Sequence, residues 1–561
     1  MEPLEPVRNG ASRPVSLYGE FSVKGVRHAV TLSERELSVR RLAGGSSSGG
    51  KPAATVFSLA DCLGCRAHLR EQQEGQHEEG EDVGERAGSS AYVSAYFYPF
   101  RRRRRWAGAG LTRQRVEQRF RVSASGDPRV NLEEARRWAR AIREGSARNR
   151  PQRTDAVCAE VRSPCRMLLM LNPHSGKGQA HSLFTAHVQR MLQEASIPYT
   201  LIITERQNHA RELVREADLS QWDALAIMSG DGLLFEVVNG LMEREDWEEA
   251  IKTPLGVLPG GSGNAVAASI HNYCGLQPMS GEDLLVSCGF MLCKGLVSRL
   301  DLISICTASN QRLFSFLSLA WGFVADVDSE SEKYRHVGAA RFTVGTLVRL
   351  MSLRVYQGKL SYLPAEQSGS YSSLEQSTES PTDFSQQIAS SSDYSDSSPC
   401  ANHPLHNFCN SNNAPKPKRT NLSQVSVLGP PDSLLVPLDQ PVPAHWTVVS
   451  EQDFVLVLAV YQSHISEDLI AAPASRLEDG VIHLIYVKAG ISRTALLRLF
   501  LAMEKGTHLS TNCPYVVYVK AQALRLEPYS PKGTITVDGE VVEYGPVQAQ
   551  IHSSLARLIA G

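Results

Sequence analysis

Three short glycine-bearing segments hold the residues best suited to chemistry: Asn172-Pro-His-Ser-Gly-Lys-Gly178, Ser229-Gly-Asp-Gly232 and Gly260-Gly-Ser-Gly-Asn264. Glycine lets the backbone approach a ligand closely, and amides at a following helix N-terminus favour anions. One such segment is an ordinary turn. Three of them, each after an apolar strand-like run, describe a cradle for a polyphosphate. The first lacks the GxxxxGK[ST] spacing of a Walker loop, so the nucleotide must be held in another way. Asp231 is the only carboxylate of the second segment, wedged between two glycines. A turn aspartate commonly bonds its own backbone, but flanking phosphate loops favour a chemical role. Phosphoryl transfer needs positioning, charge neutralisation and a group that accepts the nucleophile's proton, and Asp231 suits that last task.

The elements that position these segments are legible in the hydrophobic pattern. Met167–Leu171, Tyr199–Ile203, Ala224–Met228 and Leu255–Leu258 are short apolar runs, each followed by a loop and then helical periodicity. Phe184, Val188, Met191, Leu192 and Ala195, for example, share one helical face. Four strand–loop–helix units predict a parallel, doubly wound α/β domain over 165–305, with ligands at the carboxyl ends of its strands. Strands then dominate: Leu300–Ile305, Leu313–Leu319, Phe454–Tyr461, Val481–Val487, Tyr515–Val519 and Thr534–Val537. They predict an antiparallel, β-sandwich-like domain over 306–363 and 443–555, with helices near Phe342–Leu353 and Arg493–Met503. The intervening 364–442 is rich in Ser, Pro, Asn and Gln, and is expected to be a disordered insertion because it cannot bury enough apolar surface to offset chain entropy.

Ahead of these lies a small module over 15–148, after a disordered tail at 1–14 and before a linker at 149–164. Its strand-like runs are Gly25–Leu32, Ala54–Leu59, Ala91–Phe100 and Arg119–Val122. They are followed by a helix capped at Asn131, with Leu132, Ala135, Trp138, Ala139 and Ile142 as its apolar stripe. Strands closed by one amphipathic helix predict a pleckstrin-homology-like (PH-like) barrel.

Composition narrows the classes further. The 561 residues are 42% hydrophobic and 21% charged with a formal net charge of −1, so no global field points to nucleic acid as the primary partner. The block Arg101–Arg105 is the local exception; its readings are a solvated turn, a contact to anionic lipid and a nuclear-import signal. Eleven irregularly spaced cysteines and an N-terminus without a signal-peptide core predict free thiols in a reducing, cytoplasmic setting. Cys62-Leu-Gly-Cys65 has no second ligand pair and does not make a zinc site. With no apolar run near the ~18 residues of a membrane span, membrane contact is expected to be peripheral.

The signature NPxSGKG…TERxNHA…SGDGLxxEVxNGL…LPxGSGNA resembles the diacylglycerol-kinase-type catalytic superfamily. Trp321-Gly-Phe-Val-Ala-Asp-Val-Asp-Ser-Glu-Ser-Glu-Lys-Tyr-Arg335, Phe500-Leu-Ala-Met-Glu-Lys-Gly506 and Val537-Asp-Gly-Glu-Val-Val-Glu-Tyr-Gly-Pro546 resemble the sphingosine kinases in particular. The likeness covers about 165–363 and 435–553. The N-terminal extension, the insertion and the closing EYGPVQAQIH are more similar to the type 2 members than to the shorter type 1.

The resemblance implies an ATP-dependent kinase of long-chain bases, sphingosine and dihydrosphingosine, with Mg2+ carried on the nucleotide and no dedicated protein metal site. It implies Asp231 as general base, with Ser229, Gly230 and Gly232 shaping the acceptor site. Asn172, Pro173, His174, Thr204, Glu205, Arg206, Gln207, Asn208, Glu236, Gly261, Ser262 and Gly263 would contact ATP. Arg335 and Arg341 would face its phosphates, and Asp538, Gly539 and Glu540 would close over it from a β domain that binds the lipid. Asp328 would pair with the substrate ammonium, while Phe323, Phe342, Leu496, Leu499 and Phe500 would line the acyl pocket. Protein partners would engage the N-terminal module and the insertion.

His174, Ser175 and Phe235 depart from the family pattern; Phe235 stands where a histidine is usual and cannot hydrogen-bond. Three rival readings remain at this stage: a ceramide or diacylglycerol kinase, which needs no carboxylate at Asp328; a catalytically weakened scaffold, favoured only by His174 and Phe235; and a nucleic-acid binder, resting on Arg101–Arg105 alone.

Overall fold

The computed structural model describes residues 17–42, 54–69, 89–105, 108–149, 157–161, 165–331, 333, 340–365 and 429–560, with backbone only at 103–105, 108–109, 157 and 340–342. The tail at 1–14 and the insertion from 366 to 428 lie outside the described residues.

The N-terminal module is a seven-stranded antiparallel sheet ordered Thr55–Ser58, Glu36–Arg41, Val26–Leu32, Leu17–Val23, Val116–Val122, Ala91–Phe97 and Cys62–Leu69. The helix Pro128–Arg148 packs across it, burying Ala135, Trp138, Ala139 and Ile142. Trp138 meets Phe21 edge-on at 5.0 Å. Burying each large apolar side chain of this kind contributes roughly 1.5–3 kcal/mol. The expected cap is corrected. The cap lies four residues earlier, at Asp127, which accepts the N–H of Arg129 at 2.8 Å, with Pro128 in the first turn. Asn131 is buried instead, and its side-chain amide donates to the carbonyls of Ser89 and Ser125, both at 2.7 Å. Arg101–Arg105 belongs to a strand, Phe100–Arg105, paired with Gly108–Arg113 in a separate two-stranded ribbon.

Four parallel strands follow, in spatial order Tyr199–Ile203, Met167–Leu171, Ala224–Ser229 and Leu255–Pro259. Every residue of Met167–Leu171 and Ala224–Ser229 is buried, as a strand covered on both faces requires. Chain order reverses between Met167–Leu171 and Ala224–Ser229. At this switch point the crossover helices diverge and leave a crevice at the carboxyl ends of the strands.

Beyond Leu255–Pro259 the sheet does not end. Leu255 pairs with Leu558 of Val547–Ile559, and that strand runs antiparallel to Leu296–Cys306 and to Val516–Pro528. The α/β and antiparallel regions are thus parts of one hydrogen-bonded sheet of 16 strands among the described residues. The helices expected in the β region are present as Ala340–Met351 and Arg493–Met503.

Two segment boundaries differ from expectation. The 149–164 linker contains a strand, Val157–Glu160, paired with Leu296–Cys306. The expected insertion ends well before 442. From Gly429 the chain is a packed strap in which Asp432 accepts from Arg312 at 2.7 Å, and the carbonyls of Val436, Pro437 and Gln440 receive the buried Arg525 guanidinium. A buried guanidinium requires such acceptors, and these carbonyls satisfy it without any apolar side chain.

Candidate functional site

A cleft of about 850 Å³ opens at the switch point and runs into the β region. Its floor is the three glycine segments, locked together by close backbone approach. Gly176 sits at φ +58, and a Cβ there would lie 2.9 Å from the Gly260 carbonyl oxygen. A Cβ on Gly261 would lie 2.3 Å from the Gly230 Cα. Ser175, a departure from the family pattern, ties the first segment to the second: its Oγ accepts the Gly230 N–H at 3.0 Å and the Ser229 hydroxyl at 3.1 Å. Phe235 is buried in the core and lines the cleft, so its position supplies packing rather than a hydrogen bond.

Asp231 opens the helix Asp231–Met242 and points at the start of another, Ala265–Tyr273. Its Oδ2 accepts the Ala265 N–H at 2.9 Å and its Oδ1 accepts the Val266 N–H at 3.1 Å. Burial pushes the carboxyl above the ordinary aspartate value, while the two amides act against that rise. Glu540 lies over the same turn, its Oε1 only 2.5 Å from where a Gly232 Cβ would stand. The arrangement is a fixed, comparatively basic carboxylate beside a glycine floor that side chains would fill.

Around it, Asn172, His174, Thr204, Glu205, Arg206, Gln207, Asn208, Glu236, Gly261, Ser262 and Gly263 all line the cleft, whereas Pro173 does not. Asn172 accepts the His174 N–H at 2.9 Å, and Glu236 accepts the Ala210 N–H at 3.2 Å. Burial raises the Glu236 carboxyl. Arg206 is paired with Glu212 at 2.8 Å on the exposed rim. Asp538 lines the cleft, but its carboxylate is committed elsewhere. It accepts the Ser315 hydroxyl at 2.6 Å and the N–H groups of Phe316, Leu317 and Ser318 at 2.9–3.1 Å, and burial pushes it up to about 7. It anchors the hairpin that presents Gly539 and Glu540.

The other half of the cleft is apolar. Phe323 and Phe500 line it, their rings stacked at 5.4 Å. Val324, Val327, Leu458, Ile465 and Leu469 extend the wall, and the last three lie outside every motif in the sequence. Leu496 and Leu499, expected at the pocket, pack behind it in the core, since they occupy the buried face of the helix that offers Phe500 to the cleft. Leu496→Ala is therefore expected to destabilise the fold by about 2–5 kcal/mol in urea unfolding, as a core truncation does. The acidic cluster divides cleanly. Asp326 and Glu330 bind Arg349 at 2.6 and 2.7 Å, whereas Asp328 faces the cleft near Thr536. Arg335 and the side chains of Arg341 and Phe342 lie outside the described residues.

Residues 166–303 match the diacylglycerol kinase catalytic domain, and 447–560 match the YegS C-terminal NAD kinase β-sandwich-like domain. Fold and site thus define a kinase catalytic domain of the diacylglycerol-kinase class joined to a β-sandwich-like partner. The chain is 50% identical to human (Homo sapiens) sphingosine kinase 1 over 71% of its length and 91% of that protein. It is 51% identical to mouse (Mus musculus) sphingosine kinase 1 over 71% of its length and 92% of that protein. It is 40% identical to human sphingosine kinase 2 over 98% of its length and 92% of that protein. The chain belongs to the sphingosine kinase family.

Proposed function

We propose that this chain transfers the γ-phosphoryl group of ATP to the primary hydroxyl of sphingosine or dihydrosphingosine. The observation that carries the reading is the placement of the Asp231 carboxylate in a single cleft, with a glycine floor on one side and an apolar wall on the other. The lipid hydroxyl gives its proton to Asp231 as its oxygen bonds the γ-phosphorus, and the bond to the β-phosphate oxygen breaks to release ADP. Mg2+ carried on the nucleotide would offset phosphate charge. The backbone of the three glycine segments holds the phosphates, and Glu540 approaches from the β region. Asp328 reads the substrate ammonium, an opposite charge that a neutral lipid does not offer.

Two surface features bear on where this happens. Among the described residues no helix is long and apolar enough to cross a membrane. Near the cleft, Ala340–Met351 exposes Val344, Leu347, Val348 and Met351, and Arg493–Met503 exposes Leu501. An apolar rim of this kind suits peripheral contact with the cytoplasmic membrane face, through which a lipid substrate would enter. The N-terminal sheet with its single closing helix acts as a PH-like docking module.

The deciding measurement is phosphate transfer from labelled Mg-ATP to sphingosine, ceramide and diacylglycerol in mixed micelles. Transfer confined to sphingosine is expected. In Asp328→Asn the sphingosine KM should rise roughly 10-fold, about 1.4 kcal/mol of lost head-group recognition, with kcat nearly unchanged. Transfer to a neutral lipid would overturn the substrate assignment, and absence of transfer to any of the three would overturn the reaction.

A further inference from the structure

We infer that Glu467 is a positioning residue for phosphoryl transfer, a clamp through which the β region sets the direction of the Asp231 carboxylate. The inference rests on Asp231 as the proton acceptor.

Glu467 occupies the turn between the short paired strands His464–Ser466 and Leu469–Ile470. Its N–H donates to the Gly263 carbonyl at 2.8 Å. Its Oε1 accepts the Asn264 side-chain amide at 2.5 Å, and its Oε2 accepts the Gly281 N–H at 3.3 Å. Asn264 in turn accepts the Gly261 N–H at 2.9 Å and donates to the Gly261 carbonyl at 3.0 Å. It does so in a left-handed conformation, φ 52, which asparagine tolerates because its short polar side chain bonds the local backbone. The next two residues, Ala265 and Val266, are the ones whose amides hold Asp231. A continuous chain of hydrogen bonds and two peptide units therefore links Glu467 to the proton acceptor.

A second grip lies one turn along the same helix, where the Ser269 hydroxyl accepts the His464 N–H at 3.1 Å. The hairpin holds the helix at two points, and its Ile465, Ser466 and Leu469 also line the apolar cleft. The wall that meets the lipid and the amides that aim the carboxylate are mechanically one piece. Glu467 is not among the cleft-lining residues, so its role is exercised through Asn264.

The sign of the effect separates positioning from charge. The titratable and charged groups around Asp231 include Glu467 from the hairpin and Glu540 over the Gly232 turn, with His174, Glu205, Arg206, Arg211, Glu236, Asp328, Asp538 and Glu543 elsewhere along the cleft. Misaiming the Ala265 and Val266 amides removes donors that favour the ionised carboxylate, and so moves the acid limb of activity to higher pH. Merely removing the Glu467 charge relieves repulsion and moves that limb to lower pH.

The test is the pH profile of kcat and kcat/KM for sphingosine with Mg-ATP, in wild type, Glu467→Ala, Glu467→Asp and Glu467→Gln, alongside thermal melting and ATP binding. In Glu467→Ala, kcat is expected to fall roughly 10- to 100-fold, as small misplacements at a reacting group do, with the acid limb at higher pH and ATP affinity retained. Glu467→Asp keeps the charge but not the reach, and should behave in the same way. Glu467→Gln keeps an acceptor for Asn264 while removing the charge, so its kcat should stay near wild type and any displacement of its acid limb should be to lower pH. Wild-type kcat and profile in Glu467→Ala and Glu467→Asp would overturn the clamp, as would an acid limb displaced downward in either variant or a loss that follows only the fraction unfolded. If Glu467→Ala does not fold, the Asp and Gln pair decides alone. Wild type inactive on sphingosine would overturn the underlying reaction instead, a result distinct from all of these.

Discussion

Asp231→Asn is expected to lower kcat for sphingosine phosphorylation by roughly 10²–10⁴, the usual contribution of a positioned general base. Asparagine has the same size but cannot accept the hydroxyl proton. It can still take one of the two amides from Ala265 and Val266 with its carbonyl oxygen, while its NH2 group faces the other. One buried N–H left unsatisfied costs about 1–3 kcal/mol, so a stability loss of that order accompanies the catalytic one. ATP affinity, measured by calorimetry, should change little. The wild-type enzyme should lose activity as pH falls through the Asp231 pKa, because a protonated carboxyl cannot accept a proton. Since burial raises that value, the acid limb should lie above the range of an exposed aspartate. Near-normal turnover in Asp231→Asn would assign the proton to another acceptor.

Gly261→Ala is the second large effect expected, and it acts on the nucleotide. The added methyl would sit 2.3 Å from the Gly230 Cα and 2.6 Å from its N, and both neighbours are backbone. No rotamer change relieves that clash, so the second and third glycine segments must separate. Overpacking of this kind costs about 1–3 kcal/mol. If it is expressed in the liganded state, ATP affinity falls roughly 10- to 100-fold. Gly178→Ala is the comparison: Gly178 has φ +73, but the atom nearest to an added Cβ, the Pro173 carbonyl oxygen, would be 3.9 Å away. Only backbone strain applies there, about 1–2 kcal/mol, and it falls on stability rather than on the contact between segments. Equal ATP dissociation constants for the two variants would show that interlocking of the segments does not matter to nucleotide binding.

The chemistry was legible because it is local. The glycine segments, Asp231 and the strands before them are each contained within a few consecutive residues, where turn chemistry and apolar runs leave a direct mark. Helices Ala340–Met351 and Arg493–Met503 were readable for the same reason, their periodicity being short-range. The N-terminal strands Leu17–Val23, Glu36–Arg41 and Cys62–Leu69 were not, because such short and partly polar runs carry little β preference of their own and pairing with neighbours stabilises them.

Long-range pairing decided the rest. Nothing near Leu255 announces that it will meet Leu558 and fuse two expected domains into one sheet. The strap after Gly429 has the composition of a linker, yet its carbonyls are what a buried arginine needs. Asp538 and Asp328 look alike as acids in a motif. The first accepts from four donors inside the β region, while the second lines the cleft and accepts the Thr536 hydroxyl at 3.3 Å. Leu496 and Phe500 share a helix, but burial places one in the core and the other at the wall. A residue's type and its neighbours in the chain set what it can do chemically. Whether a carboxylate is already satisfied, or an apolar side chain already covered, depends on partners hundreds of residues away, and only the folded chain brings those partners together.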